Sequence, residues 1–569
     1  MSSTDNSSAS PPDSPLRLPV LLAVLVVGAA VIFAQLGKFP LFNPDEALYA
    51  EPAREMLEIK EYITTYLNYV VRFTKPPLVI WAMALSMNLF GVNEFAARFF
   101  GAATGVALIG VTYLFASRYI STTAAFLAGF SLIMAPLYLG TAREAITDMP
   151  LAFFMATAQL AFFHAFFQKR KVYALLGFAM VGLSIMTKGP VGMVLPLGIL
   201  FAFHLLRGDL KEAWKAYSPV LGLILTAVIA VPWFAVEIYV TKGAYFQEFI
   251  MRENFQRFTA VVDAHKQPVW YHLAAMVVGF MPFSVFLPGL VKDYLTRLTR
   301  ALKTPRESII ERYRHLASDL RNLGAAESLM VYSALWAFIT LAFYSASVSK
   351  LLPYTLPAFP ALALMVSHYI DRQIKRERFL PLALPLVALV ALYGGVGLVA
   401  PHLTGRLRDC PAELPPLVIG FAGFGAGVTF LSILALRLKK MRLGMCFFAV
   451  GTTLGLAYYA VRILPVVSAK WEGGLPELSA FAGQSSLPII VYDMRKPGVP
   501  FYARRQVENI NNHDVFLVRL SQLEKAYVLT RTKRLEALSS IAGLKPVGSQ
   551  GSFTLLLWGQ VKESQPVNK

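Results

Sequence analysis

The feature that most constrains this chain is the length and number of its apolar runs. They lie near 18–36, 97–117, 122–140, 149–168, 172–187, 190–206, 217–238, 272–291, 328–347, 352–370, 379–400, 415–436 and 443–463. A helix of roughly 20 apolar residues spans a bilayer core, so the pattern reads as a polytopic helical membrane protein with about 13 transmembrane helices. Composition agrees: 56% of residues are hydrophobic, 15% are charged, and mean hydropathy is +0.54. The polar stretch over 1–17 reads as a disordered cytoplasmic tail. The first apolar run is too long for a cleavable signal and has no small-residue cleavage site after it, so it is expected to stay as a span.

The net charge of +19 sits in short loops between spans, the signature of membrane orientation and not of nucleic-acid binding. The loops 168–171, 207–215, 292–326, 371–378 and 437–442 are the basic ones and share one side, which the rule assigns to the cytoplasm. One further run, "PPLVIWAMALSMNLFG" (76–91), is short for a crossing. Arg118 favours the arrangement in which it lies along the interface, leaving the N-terminus inside and everything after 466 outside. The chain then divides into a transmembrane domain over 18–465, with outer loops 37–96 and 239–271, and an outer domain over 466–569. In that outer domain "LPIIVYD", "QVENI", "AYVLT" and "SFTLLLWG" read as strands, while "VFLVRLSQLEK" and "KRLEALSSIAG" read as helices, giving a small α/β unit. Two cysteines, Cys410 and Cys446, in a loop and a span, argue against a structural disulfide and exclude a cysteine metal cluster.

Directly after the first span comes "FNPDEALYAEPAREM" (42–56), with four acids and an arginine where a plain anchor needs none. Asn43 as cap, Pro44 in the first turn and Glu46 three residues after the cap predict a short helix, and acids there can simply answer its dipole. The same face, however, receives "RFTKPPL", "TAREAITDMP", "MTKGP", "RENFQRF", "AHKQPVWYH" and "SVSKLLPYTLP" at other span boundaries. Any one of these charges alone could be an interfacial anchor. Together they predict a polar cavity holding Asp45, Asp148, Lys75, Arg143, Lys188, Arg257 and Lys350. Glu46, Tyr49, Arg54, His265 and Tyr354 join them as candidate substrate contacts. Cations at a bilayer surface suit a phosphate headgroup, and carboxylates suit a sugar hydroxyl, an amine or a developing cationic carbon. A glycosyl donor carried on a lipid phosphate meets both needs.

The motifs "DEALYAEPAREM", "KPPLVIW", "TDMPLAFF", "TKGP" and "KLLPYTLP", together with the outer tail, resemble bacterial membrane glycosyltransferases of the GT-C fold. The nearest group is the lipid A aminoarabinose transferases, related to the protein O-mannosyltransferases. The resemblance implies an inner-membrane enzyme that takes a sugar from undecaprenyl phosphate on the periplasmic side, with Asp45 as catalytic carboxylate and Asp148 and Lys75 lining the site. The acceptor it implies is a lipid A phosphate. A hydroxyl of a protein or other glycan is the alternative, and a flippase of lipid-linked sugars is the non-enzymatic one. A stable lipid phosphate leaves without a general acid, so Lys75, Arg257 and Lys350 are expected to hold its charge. Asp45 would orient an ionised acceptor or serve as general base to a hydroxyl. Two departures bear on cofactors. Thr74 stands where the family carries Glu before Lys-Pro, and Asn254 stands where it carries His after Glu253; in some members those residues are tied to a metal. No metal or other cofactor is expected here, nor a nucleic-acid partner, and the chain is expected to be a monomer.

Overall fold

The structure, a computed structural model, describes residues 17–256, 267–302, 309–402 and 410–559. Arg257, His265 and all of the expected N-terminal tail except Arg17 lie outside the described residues.

Among the described residues, eight helices are long and apolar enough to cross a membrane. Two more crossings are bent pairs, Thr122–Met134 with Pro136–Ala142 (67°) and Tyr271–Gly279 with Phe283–Thr296 (108°). Pro136 and Pro282 stand at the breaks, where a missing N–H interrupts the helical ladder. Three shorter apolar helices, Arg17–Phe33, Leu78–Phe90 and Val191–Arg207, fall below that length. Counted this way, eight to ten candidate crossings are found among the described residues, against the 13 expected.

The bundle is layered by burial. Asp148–Gln168 is 72% buried and central, whereas Pro219–Val240 is 22% buried and turns its apolar side chains outward, as a lipid-facing helix does. Lys171–Lys188 packs between these two at close range. A methyl group placed on Gly177 would lie 2.6 Å from the Phe162 ring, and one on Gly222 would lie 2.0 Å from Phe178. Small residues permit such approach where no hydrophobic drive pulls helices together in lipid.

The two ends of the bundle differ in charge. The basic end carries Arg207, which pairs with Asp209 at 2.8 Å and donates to the Leu320 carbonyl, and Arg372, which reaches Asp293 at 3.8 Å. The opposite end carries the loops after the first span, and here helix Leu78–Phe90 behaves as expected for 76–91. Just before it, Lys75 faces the same cavity as Asp45. Just after it, Glu94 accepts a hydrogen bond from the Tyr502 hydroxyl, which in turn accepts from Leu41 N–H. Both ends of this helix therefore lie at one end of the bundle, and it does not cross.

The last crossing continues to Glu472, six residues beyond the expected boundary, and the outer domain opens with helix Leu475–Gly483. Its sheet contains β3 (Ile489–Tyr492), β4 (Glu508–Ile510), β5 (Lys525–Arg531), β6 (Leu544–Gln550) and β7 (Phe553–Gly559), after a small hairpin β1 (Tyr66–Leu67) and β2 (Val70–Val71) in the first outer loop. The order is β4-β3-β5-β7-β6, with β3 parallel to both its neighbours and the other pairs antiparallel. Alternate residues feed two cores. Ile489, Val491 and Leu529 pack with Leu475 and Val499, while Ile490 and Val528 pack with Phe516 and Leu538. The four expected strands are present. The edge strand β6 is additional, because its sequence LKPVGSQ has no strand pattern and its register shifts between Pro546 and Gly548. Of the expected helix in "KRLEALSSIAG", only Leu535–Leu538 is α-helical, preceded by a single 3-10 turn.

The outer domain is clasped to the first outer loop. Asn43 accepts from Gly498 N–H (2.7 Å) and donates to Glu472, which also holds Lys496 at 2.7 Å. Asn68 exchanges two hydrogen bonds with the Val507 backbone, at 2.7 and 2.9 Å.

Candidate active site

Between the clasped domain and the bundle lies a cavity of about 780 Å³. Each of its charged side chains is placed by the end of an element. Asp45 sits in the turn leading into helix Ala47–Ile59, and Asp148 is the first residue of the central helix Asp148–Gln168. Lys188 is the last residue of its helix, and Gly189 (φ +87) makes the turn that sends the chain back through Pro190. Lys75 and Arg72 come from the loop after β2, and Glu248, Arg252 and Glu253 come from the π-helix Phe246–Gln256.

Three of the cavity's cations are held in ion pairs. Lys188 lies 2.6 Å from Asp148 and 4.6 Å above the Tyr354 ring. Lys75 lies 3.5 Å from Glu253, and Arg252 lies 2.6 Å from Glu248. Arg72 covers the face of Tyr49 at 5.7 Å and donates to the Leu48 carbonyl. Asp45, Asp148, Glu248 and Glu253 face five cations, with Glu144 as a fifth acid, so the walls carry little net charge. Burial holds the Tyr49 phenol above its ordinary value. Burial, with help from Glu46, Asp148 and Asp45, pushes the Glu144 carboxyl up to about 8 against the pull of Arg98. Glu144 is thus a neutral acid at pH 7 among charged neighbours.

Of the residues singled out from the sequence, Asp45, Tyr49, Lys75, Asp148, Lys188 and Tyr354 come together in this cavity. Four others do not line it. Glu46 is fully buried: it pairs with Arg98 at 2.6 Å and accepts from the N–H groups of Phe42 (2.8 Å) and Ala145 (2.7 Å). Arg54 is buried against Glu51, Glu58 and Tyr69 on its own side of helix Ala47–Ile59. Arg143 donates to the Val31 and Ile32 carbonyls, closing the exposed end of the first span. Lys350 turns back onto the Ser347 carbonyl. The expected cap also differs. Helix Ala47–Ile59 starts without a side-chain cap, and Asn43 serves the clasp to the outer domain instead.

Several lining residues were not singled out. Glu144 was visible inside "TAREAITDMP", four residues before Asp148, and Arg72 inside "RFTKPPL". Arg495 carried no signal, because the tail that holds it gives no hint that it folds back over the first loop. Thr74 does line the cavity, but among the described residues no three His, Cys, Asp or Glu side chains are grouped as metal ligands. No step below uses a metal.

Comparison with known proteins agrees with this geometry. Residues 74–235 match the family model described as dolichyl-phosphate-mannose-protein mannosyltransferase. An uncharacterised protein of Aquifex aeolicus is 29% identical over 62% of this chain and 64% of its own length. The undecaprenyl phosphate-alpha-4-amino-4-deoxy-L-arabinose arabinosyl transferase of Pectobacterium carotovorum is 28% identical over 74% of this chain and 71% of its own. The crystal structure of ArnT from Cupriavidus metallidurans bound to undecaprenyl phosphate superposes with a TM-score of 0.77 at 22% identity, covering 95% of this chain and 97% of that one. The fold is therefore that of ArnT, and the chain resembles the aminoarabinose transferases.

Proposed function

We propose that this protein is a glycosyltransferase that moves 4-amino-4-deoxy-L-arabinose from undecaprenyl phosphate to a phosphate of lipid A, at the periplasmic face of the inner membrane. The observation that carries the reading is the cavity itself, in which Asp45 shares one space with Lys75, Lys188 and Arg72 at the end of the bundle away from the basic loops. Short basic loops stay in the cytoplasm, which supports a periplasmic cavity. The names of the relatives supply the donor, and the lipid A phosphate is the acceptor that the sequence resemblance implies.

In the reaction, an acceptor phosphate oxygen bonds to the anomeric carbon. The bond from that carbon to the carrier phosphate breaks, and its electron pair stays on the carrier. The carrier gains one negative charge, so fixed cations aimed at it lower the barrier. In this reading Lys75 and Lys188 serve that role, with Glu253 beside Lys75 and Asp148 beside Lys188 on the cavity wall. An ionised acceptor phosphate needs no base, so Asp45 orients it and stabilises the positive charge that develops at the anomeric carbon. The family model's description favours a hydroxyl acceptor on a protein, for which Asp45 would be the general base. Mass spectrometry of lipid A from cells with and without the protein decides between these. A mass increment of one aminopentose that depends on the protein is expected; unchanged lipid A with altered glycoproteins would overturn the lipid A reading.

A further inference from the structure

The nearly neutral cavity opens onto a surface that is not neutral. Arg495 lines both the cavity and a neighbouring hollow of about 340 Å³ on the outer domain. That hollow shares Arg531 and Lys533 with a third, of about 570 Å³, which ends at Lys470 and Trp471, in the last turn of the long helix Met441–Glu472. The three spaces thus form one groove with shared walls. Its internal ion pairs cancel in part: Arg534 is held by Asp493 at 2.6 Å and Lys496 by Glu472 at 2.7 Å. Arg495, Arg531, Lys533 and Lys470 have no ion pair among the described residues, and all four are exposed. Four uncompensated cations in a row contrast with the balanced walls of the cavity. Trp471, 64% exposed at the foot of the groove, is the residue type that settles at a membrane–water boundary.

We propose that this groove is the docking track for the acceptor, a membrane glycolipid with an anionic phosphorylated headgroup, which enters beside Trp471 and is passed along the cations to the cavity. The proposal rests on the reading that the cavity transfers sugar to a lipid acceptor. Phosphates suit the track because arginine and lysine bind them through charge-assisted hydrogen bonds, and a track made of exposed cations allows a headgroup to slide without being trapped. The same cations at the water boundary act within a Debye length of the bilayer surface, so the track should weaken as salt rises.

The test uses the full chain in detergent, with bisphosphorylated lipid A as probe and the same glycolipid stripped of both phosphates as control. Native mass spectrometry reads bound lipid, and acceptor and donor KM are measured in the transfer assay. Arg531→Glu with Lys533→Glu should lower lipid A occupancy about tenfold and raise acceptor KM by a similar factor, while donor KM shifts less than twofold. Arg531→Gln with Lys533→Gln should show the same trend more weakly, and it gives the readout if charge reversal aggregates. Wild-type occupancy of the variants by lipid A, or equal binding of the dephosphorylated control, would overturn the track. A wild type that binds lipid A through these cations but transfers nothing would defeat the proposed reaction and leave the track standing.

Discussion

Glu46 is the sharpest test of how the first outer loop works. Sequence reading places it beside Asp45 as a substrate contact; the structure makes it a buried structural anchor. Its carboxylate receives Arg98 through two contacts at 2.6 and 2.7 Å, plus the N–H groups of Phe42 and Ala145. Arg98 in turn donates to the carbonyls of Leu36, Phe39 and Pro40, so the pair ties the end of the first span to the second crossing and to the loop before Asp148. Glu46→Gln keeps the shape, but its amide has one acceptor oxygen and turns an NH2 toward donors that need an acceptor. Arg98, with 0% of its surface exposed, would keep its charge without a partner. Removing one member of a buried ion pair costs about 3–5 kcal/mol, and each orphaned buried N–H adds roughly 1 kcal/mol or more. The expected result is a clear fall in melting temperature of the purified protein and lower yield, with turnover per folded molecule within a few-fold of wild type. Differential scanning fluorimetry and the transfer assay, run on the same monodisperse fraction, separate the two. A variant that melts like wild type but has lost turnover would refute the structural role and return Glu46 to the substrate.

Asp45→Asn should do the opposite: normal melting, but transfer lowered by about a hundredfold or more in a reconstituted assay, the scale of a lost catalytic carboxylate. Lys75→Ala should strongly reduce transfer while the protein still accumulates in the membrane, and normal transfer would leave Lys75 as an interfacial anchor. Glu144 makes stability depend on pH. Because its carboxyl is raised from an ordinary 4.5 to about 8, its contribution is fully present below 4.5 and is lost progressively as pH rises to and through about 8. Melting temperature measured from pH 6 to 9.5 should therefore decline less in Glu144→Gln than in wild type, and parallel curves would count against the protonated form.

The sequence carried the bundle well, since a bilayer imposes a length and polarity that single runs display. The in-plane helix Leu78–Phe90 was legible for the same reason: its apolar stretch is too short to cross. Charged residues were harder. Asp45, Asp148, Lys75 and Lys188 reach the cavity, whereas Glu46 is spent on Arg98, Arg54 on Glu51 and Glu58, and Arg143 and Lys350 on carbonyls. A string of letters shows a charge at a span boundary but not the partner that neutralises it. Arg54 illustrates this best, because Glu51 and Glu58, both in the quoted motif neighbourhood, lie at the i−3 and i+4 spacings that pair on one helix face. The edge strand β6 and the wall residue Arg495 were invisible because tertiary packing alone gives each its place.

The clasp between the first outer loop and the last domain sets a timetable for assembly. Leu41, Asn43 and Asn68 meet partners 461, 429 to 455 and 439 residues later in the chain. At roughly 5–20 residues per second, a ribosome takes roughly 20–90 s to deliver those partners after the loop has emerged. Throughout that interval the loop holding Asp45 lacks the partners that the last domain brings to it. The half-made molecule cannot enclose a donor sugar, and only the arrival of Glu472, Arg495 and Val507 converts a threaded set of helices into a closed reaction chamber.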